Sequence, residues 1–296
     1  MGAYKINFDD YQPLDMEKRV EIASVSKADL SFLSLFMLSV LAGSFIALGA
    51  EFYTVVTFDS QMSYGLTKLL GGIAFSLGLV LVIVAGAELF TGNNLLMMGL
   101  ASRVVTYKQV LKNWTVSYVG NLIGSISLVF LMYFTNLWNI KDYQLGASVV
   151  IMAVNKVELT FVEAFSRGIL CNALVCLAVW LCFSARTVIS KIPAIVFPIA
   201  AFVASGFEHC IANMYFIPFG ILLGRNPDVV RKVTEMRPDI ELGRLNIMGF
   251  LGNILPVTLG NIMGGAIMVA VVYWLIIVLP QRIKKAKKER SVHKKS

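Results

Sequence analysis

Residues 206–213 read Gly-Phe-Glu-His-Cys-Ile-Ala-Asn, and they lie inside a long apolar stretch from about residue 192 to residue 223. A carboxylate and an imidazole are costly in hydrocarbon because no water solvates them, so such groups usually face a cavity or a pathway. Gly206 and Gly220 weaken the helix around this polar pair. The stretch therefore predicts a transmembrane helix that is interrupted by a polar centre near the bilayer midplane.

The same pattern occurs a second time, earlier in the chain. Residues 86–93 read Gly-Ala-Glu-Leu-Phe-Thr-Gly-Asn and share the frame Gly-x-Glu-x-x-x-x-Asn with residues 206–213. Glu88 and Asn93 thus match Glu208 and Asn213. A second interrupted helix is therefore predicted in the first half of the chain.

Another pair of segments repeats in the same order. Asn113 and the run Gly-Asn-Leu-Ile-Gly at 120–124 match Asn253 and the run Gly-Asn-Ile-Met-Gly at 260–264. Each half then has one interrupted helix followed by one helix that bears Gly and Asn. Two halves with an odd number of spans each must have opposite orientations in a membrane, so we predict an inverted 3+3 repeat.

The composition agrees with a membrane protein. Of 296 residues, 57% are hydrophobic and 15% are charged, and the mean hydropathy is +0.73. Soluble domains contain about 25% charged residues, and a transmembrane helix needs ~20 apolar residues. The four cysteines lie in apolar helices without a Cys-x-x-Cys spacing. We therefore expect an all-α integral membrane protein without a disulfide framework, metal site or cofactor.

The apolar runs predict six spans joined by polar loops. The first three are expected at about residues 30–57, from residue 68 onward with a break at 86–93, and at 110–137. The last three are expected at 160–183, at 192–223 with a break at 206–213, and at 247–279. Pro280 would end the last helix. The segments 138–156 and 224–244 are expected to be polar loops. Residues 28–280 would form the transmembrane domain, and we expect no cleaved signal peptide before it.

The distribution of lysine and arginine predicts the topology. The basic residues are concentrated in the N-terminal segment, in two short loops and in the tail 281–296, so we expect both termini in the cytoplasm. Membrane topology also explains the net charge of +8 better than nucleic-acid binding does. Residues 1–27 are compatible with a short surface helix, which would be a solvated lead-in or a gate at the pore mouth.

Several polar residues are candidates for function. His209 could donate a hydrogen bond or a proton to a small anion, because an imidazole titrates near neutral pH; alternatively it satisfies a helix contact. Thr91 could orient the imidazole. Glu88 and Glu208 could hold the breaks together by accepting freed backbone N–H groups or by pairing with a cation. Lys156 could pair with Glu208, attract anions, or extend its ammonium to the membrane interface.

One further charge lies inside the fourth span. Arg167 needs a partner in hydrocarbon, and Glu163, one helical turn earlier, is available. We interpret this pair as structural or as a contact between subunits.

At the two breaks the sequence resembles the formate/nitrite transporter family. Residues 83–92 (Ile-Val-Ala-Gly-Ala-Glu-Leu-Phe-Thr-Gly) and residues 168–178 look like its two signatures, with Ala173 where a larger apolar residue is usual. Residues 205–214 and 256–262 also look like family segments. The resemblance covers about residues 30–280. It implies an aquaporin-like bundle of six helices, with helices 2 and 5 interrupted, assembled as a homopentamer in the cell inner membrane with one pore in each protomer.

The resemblance also implies roles for single residues. His209 and Thr91 would lie between two apolar slits, Lys156 and Asn172 would be polar positions of importance, and the N-terminal segment would form a pH-linked gate. The candidate slit residues are Phe75, Leu79, Leu89, Phe90 and Phe202. The substrate would be a small monovalent weak-acid anion, formate first, with nitrite and hydrosulfide as alternatives. Proton donation at or near His209 would let it cross as the neutral acid.

Two other classes of protein fit the sequence less well. A glycerol or water channel of the aquaporin type would have two Asn-Pro-Ala motifs, but residues 91–93 read Thr-Gly-Asn and residues 211–213 read Ile-Ala-Asn. A membrane-embedded enzyme could use Glu208 and His209, but the sequence lacks His-Glu-x-x-His, a nucleophile with a base at fixed spacing, and a cofactor loop. Transport is therefore the preferred function.

Overall fold

The computed structural model describes residues 11–284 and 287, and these form helices and turns without a β-strand. The predicted all-α architecture is confirmed. The first half contains α1 (Pro13–Ala28), α2 (Phe32–Thr57), α3 (Tyr64–Ala85), a 3-10 turn (Gly92–Leu95), α4 (Leu96–Ala101) and α5 (Tyr107–Thr135). The second half contains α6 (Gln144–Val157), α7 (Phe161–Ser184), α8 (Val188–Ala204), α9 (Cys210–Leu223), α10 (Pro227–Met236) and α11 (Ile247–Ile262), which continues with π-helical turns (Met263–Val271 and Trp274–Val278).

Five helices of the described chain are long and apolar enough to cross a membrane: α2, α3, α5, α7 and the continuous helix Ile247–Lys284. The remaining predicted span is divided between α8 and α9, which have 17 and 14 residues and are too short to cross separately. Helices 2 and 5 of the prediction are thus the two that the breaks interrupt.

The structure corrects four predicted boundaries. The segment 138–156 is mostly the helix α6, whose inner face of Val149, Val150 and Val154 is fully buried. The segment 224–244 contains α10, which Pro227 begins because its missing N–H needs no partner there. The second break is shorter than predicted, since α9 begins at Cys210. Pro280 does not end the last helix, which continues to Lys284. Most of the tail 281–296 lies outside the described residues.

Each break begins at a glycine with a left-handed backbone. Gly86 has φ +81° and Gly206 has φ +71°. Residues with a Cβ rarely adopt this conformation, whereas glycine does so at little cost. The chain leaves α3 and α8 at these points, passes through non-helical residues, and resumes helical structure at Gly92 and Cys210.

The two halves repeat the same close helix contacts. A Cβ added to Gly124 of α5 would lie on the carbonyl oxygen of Val40 in α2, and one added to Gly264 would lie on that of Ile169 in α7. Small residues permit such crossings because they let two backbones approach. These matched contacts are what an internal repeat predicts. The opposite orientation of the halves in a bilayer stays a prediction.

A short helix precedes the first long helix of each half, and this helix was not part of the predicted repeat. α1 leads into α2 as α6 leads into α7, and the next-to-last residue of each short helix is a lysine, Lys27 or Lys156. The segment 1–27 therefore contributes the equivalent of α6 rather than only a surface helix. α1 packs against α4, α7 and the end of the last helix.

The close contact at Gly260 predicts a selective loss of stability. Gly260→Ala would place a methyl group on the carbonyl oxygen of Phe165, whereas Gly252→Ala in the same helix meets no atom within 4 Å. We expect the first change to cost roughly 1–3 kcal/mol through overpacking. Thermal unfolding of the purified protein in detergent, compared with Gly252→Ala, checks this. Equal midpoints for the two variants would contradict the packing.

Candidate functional site

Asn261 holds the second break. Its Oδ1 accepts the backbone N–H of Cys210 at 2.9 Å, and its Nδ2 donates to the carbonyl oxygens of Gly168 at 2.8 Å and Glu208 at 3.0 Å. The side chain is fully buried. One amide therefore satisfies three backbone groups that hydrocarbon could not hydrate.

Asn121 holds the first break in the same way. Its Oδ1 accepts the N–H of Phe90 at 2.9 Å, and its Nδ2 donates to the carbonyl oxygens of Ser39 at 2.7 Å and Glu88 at 3.0 Å. Every one of these contacts has its counterpart at Asn261. The sequence match of the two runs Gly-Asn therefore corresponds to one bracing arrangement that is used twice.

Glu208 lies in a buried polar cluster beside the second break. Its Oε1 accepts a hydrogen bond from Lys156 at 2.9 Å, and its Oε2 accepts one from Asn213 Nδ2 at 2.6 Å. The same Nδ2 donates to Asn253 Oδ1 at 2.7 Å. The carboxylate is thus paired with a cation and hydrogen-bonded, as a buried charge requires. The predicted pairing of Lys156 with Glu208 is present.

Glu88 lies in the equivalent cluster of the first half. Asn93 Nδ2 donates to its Oε2 at 2.8 Å and to Asn113 Oδ1 at 2.8 Å. Its cation is Lys27, whose ammonium lies 2.5 Å from Glu88 and 3.0 Å from Asn93 Oδ1. Sequence analysis missed Lys27. The signal was its distance from the next helix, because Lys27 precedes the cap Ser31 by as many residues as Lys156 precedes the cap Thr160.

His209 and Thr91 come together although they do not occupy matching positions. His209 Nε2 lies 2.9 Å from Thr91 Oγ1, and both residues are buried. His209 is also the N-cap of α9, where Nδ1 accepts the N–H of Ala212 at 3.2 Å. Since an N–H must donate in that bond, the ring proton is on Nε2 and points to Thr91. In the repeat the position of His209 corresponds to Leu89.

Asn172 acts behind this pair. Its Nδ2 donates to the backbone oxygen of Thr91 at 3.3 Å and to that of Asn261 at 2.7 Å. Its side chain is fully buried and lines neither of the cavities described below. Asn172 therefore connects the first break to the helix that braces the second one, and it positions Thr91 through the Thr91 backbone.

Two aromatic rings lie next to the imidazole. Phe75 and Phe202 meet edge to face with ring centroids 5.7 Å apart, and the Phe202 ring stacks on His209 at 6.0 Å. All three side chains line one cavity. The two phenyl rings form an apolar wall beside His209.

The other candidate slit residues lie elsewhere. Leu79 and Leu89 line a second cavity, on the side of α1. Phe90 packs edge to face against Trp114 and Tyr118 at centroid distances of 6.1 and 5.0 Å, and it lines neither cavity. Phe90 thus packs against α5, and its role as a slit residue stays a prediction.

The two cavities have similar charge. We call them the α1 vestibule, with a volume of about 430 Å³, and the Lys156 vestibule, with a volume of about 260 Å³. The ionic side chains of the first are Arg19, Lys27, Lys191 and Glu88, and those of the second are Lys68, Lys156, Arg167 and Glu208. Each vestibule therefore has three cations and one carboxylate, an excess that attracts anions.

Helices long and apolar enough to cross a membrane, two interrupted helices, and a buried imidazole that lines one of two cationic vestibules are typical of an integral membrane channel or transporter. The chain belongs to the formate/nitrite transporter family, since the family model described as formate/nitrite transporter matches residues 15–275. The family predicted from the motifs is confirmed, and so is a transporter rather than an enzyme.

Individual relatives agree with this assignment. The chain is 42% identical over 273 residues to formate channel FocA of Escherichia coli (strain K12), covering 91% of this chain and 95% of that protein. It is 38% identical over 263 residues to formate channel FocA of Haemophilus influenzae, covering 88% and 92%. A solved structure described as a pentameric formate channel with formate bound superposes with a TM-score of 0.73 at 43% identity, covering 83% of this chain and 97% of that one.

Because Asn261 braces the second break, we expect its substitution by a residue of similar size to lower the stability of the protein strongly. Asn261→Leu keeps the approximate volume but leaves three buried backbone groups without partners, at roughly 1–3 kcal/mol each. We expect a much lower thermal unfolding midpoint and poor assembly in detergent. Asn139→Leu is the matched control because Asn139 is exposed. A wild-type midpoint for Asn261→Leu would contradict the bracing role.

Proposed function

We propose that the protein is a channel for small monovalent weak-acid anions, with formate as its principal substrate and nitrite or hydrosulfide as the alternatives. The observation that carries this proposal is the buried His209–Thr91 pair, whose imidazole lines the Lys156 vestibule together with Phe75 and Phe202. The relatives named as formate channels support formate.

The charges favour entry of an anion and the apolar residues oppose its further passage. Lys27 and Lys156 neutralise the buried glutamates, and the remaining basic residues of the vestibules give each a positive potential. Phe75 and Phe202 on one side, and Leu79 and Leu89 with the adjacent Phe90 on the other, would then form the slits. A bare anion pays a large desolvation cost there, whereas the neutral acid pays little. Protonation of the substrate near His209 would let it cross.

The hydrogen bonds of His209 specify how a proton could be supplied. The neutral ring has one proton, on Nε2, and can offer it as a hydrogen bond to an anion in place of Thr91. Complete transfer requires a second proton on the ring, because loss of the only one would leave an imidazolate. That second proton must go to Nδ1, which would have to release the N–H of Ala212. Proton transfer would thus loosen the first turn of α9.

The assembly and location are part of the proposal. We infer a homopentamer in the cytoplasmic (inner) membrane, with both termini in the cytoplasm and one pathway in each protomer. The pentameric description of the similar solved structure supports the assembly. Large apolar side chains exposed on the isolated chain, such as Phe197 and Met248, would face lipid or a neighbouring protomer.

We also propose that the segment 1–27 gates the α1 vestibule, with the described part of α1 as its moving element. Lys27 and Arg19 of α1 line that vestibule, so a displacement of α1 would change its charge and width. Glu17 of α1 is buried next to Glu21, and burial together with Glu21 raises its pKa to about 7. The charges of Arg282 and Lys18 oppose this rise.

The raised pKa of Glu17 sets the direction of a pH effect. A carboxyl that prefers its proton when α1 is docked stabilises docking below its ordinary pKa of 4.5 and loses that contribution as the pH rises through about 7. Glu17→Gln should therefore keep α1 docked between about pH 5 and about pH 8. A cysteine at buried Val20, labelled with a membrane-impermeant maleimide, should react more slowly in Glu17→Gln than in the parent at high pH only.

The same labelling at exposed Ile22 is the control, because its rate should not depend on Glu17. Comparing the two backgrounds at each pH cancels the ionisation of the thiol itself. Equal rates for Val20→Cys in both backgrounds across the range would exclude Glu17 as the titrating group.

His209→Asn tests the proposed function directly. Asparagine keeps an N-cap acceptor for α9, but it does not titrate. In proteoliposomes with an internal pH dye, the parent should take up formate together with protons, faster at lower external pH. The variant should pass formate as an anion current with little pH dependence.

His209→Phe removes both hydrogen bonds and serves as the harsher comparison. Formate, nitrite and hydrosulfide should be measured in parallel to rank the substrates. Proton uptake that persists unchanged in assembled His209→Asn would refute the role of the imidazole, and absence of flux for all three anions in the parent would refute the channel itself.

A further inference from the structure

Arg167 lies in α7 and lines the Lys156 vestibule together with Lys68, Lys156 and His209. A cation within a membrane-spanning helix is costly unless it is paired or serves a pathway. No hydrogen bond or ion pair joins its guanidinium to another side chain in the part of the chain that the structure describes. The guanidinium, with its five N–H donors, thus lines a cavity without an acceptor among the described side chains.

The predicted partner of Arg167 has another role. Glu163 Oε2 accepts the N–H of Thr160 at 2.9 Å and its hydroxyl at 2.7 Å, so Glu163 closes the N-terminal capping box of α7. Its carboxylate lies beyond the 4.0 Å of an ion pair with Arg167 and acts on it only through longer-range charge. The nearby Glu208 is already paired with Lys156.

The fold does not require the charge of Arg167. Its backbone oxygen accepts the N–H of Glu208 at 3.3 Å, and in the first half the oxygen of Leu38 accepts the N–H of Glu88 at 3.2 Å. A leucine therefore supports the equivalent break with the same backbone contact. The guanidinium is an addition to the bracing arrangement, and its purpose must lie in the vestibule.

Lys156 also has unused hydrogen-bond donors. Lys27 donates to both Glu88 and Asn93, whereas among the residues that the structure describes Lys156 donates only to Glu208. Asn213 Oδ1, which would be the equivalent second acceptor, is buried without a partner. Two of the three N–H donors of the Lys156 ammonium are therefore free for a ligand.

We propose that Arg167 and Lys156 form an outer anion-binding subsite that selects planar anions with two oxygen atoms, carboxylates above all, before they reach His209. A guanidinium binds both oxygens of such an anion through parallel N–H donors, and the ammonium adds a point charge. Hydrosulfide has one acceptor atom and cannot use this fork. The subsite rests on the proposed function and adds a basis for substrate choice.

Three variants separate charge from geometry. Arg167→Leu introduces the residue that occupies the equivalent position 38, Arg167→Lys keeps the charge without the fork, and Arg225→Leu removes a positive charge outside the vestibule. Initial uptake into proteoliposomes is measured against formate and hydrosulfide concentration. Size-exclusion chromatography confirms equal assembly.

For formate we expect Arg167→Leu to raise KM about tenfold, the ratio expected for loss of one charge-assisted pair, with the maximal rate within about twofold. Arg167→Lys should still show a raised KM for formate, because the fork is lost. Its KM for hydrosulfide should equal that of the parent, because the charge is kept. Arg225→Leu should change neither. An unchanged formate KM in Arg167→Leu, or full recovery in Arg167→Lys, would overturn the subsite.

Calorimetric titration of the purified proteins with sodium formate gives a reading that does not depend on transport. Weaker binding to Arg167→Leu than to the parent supports the subsite, and equal binding or no binding to the parent overturns it. The proposed channel function fails separately, if the parent binds formate but does not conduct any of the tested anions.

Discussion

The structure depends on how two interrupted helices satisfy their freed backbone groups where water is absent. Unpaired N–H and C=O groups in hydrocarbon each cost several kcal/mol, on the order of the total stability of many domains. Asn121 and Asn261 meet this requirement with three hydrogen bonds each, made to equivalent groups in the two halves. The breaks can persist near the centre of the protein because these side chains complete them.

The ionic residues follow from the same requirement. The braced breaks place Glu88 and Glu208 in buried positions, and Lys27 and Lys156 compensate the charges. The glutamates are therefore anchors, whereas the basic residues around them give each vestibule its excess of positive charge. Because both halves share this frame, the residues that differ between them are the ones that the fold leaves free for function. His209, which replaces the leucine of the first half at position 89, is the clearest example.

The sequence allowed much of this frame to be predicted, because identical residue types at equal spacing mark both breaks and both bracing helices. It did not indicate α6, because the buried face of this helix is short and its ends are polar. It did not indicate the role of Lys27, because the sequence around Lys27 shares little with that around Lys156 except the distance to the next helix. The pair Glu163–Arg167 was wrong because one helical turn of separation does not say which partner a carboxylate prefers, and the N-terminal cap prevailed. For Phe90, the sequence did not indicate the edge-to-face packing against Trp114 and Tyr118, because an aromatic residue beside a break can contact a neighbouring helix as well as a cavity.

The place along the proposed pathway where anions can be selected depends on where their charge can be recognised. At the centre the proposed cargo is a small neutral acid, and apolar walls distinguish such molecules weakly, since one methylene is worth only about 1–3 kcal/mol. In a vestibule the same molecule is still an anion with a full charge and a definite arrangement of acceptors. Directional donors discriminate best there, before desolvation and protonation remove the difference. Arg167 lines the Lys156 vestibule, where the proposed cargo would still be ionic, so selection among anions would be most effective there.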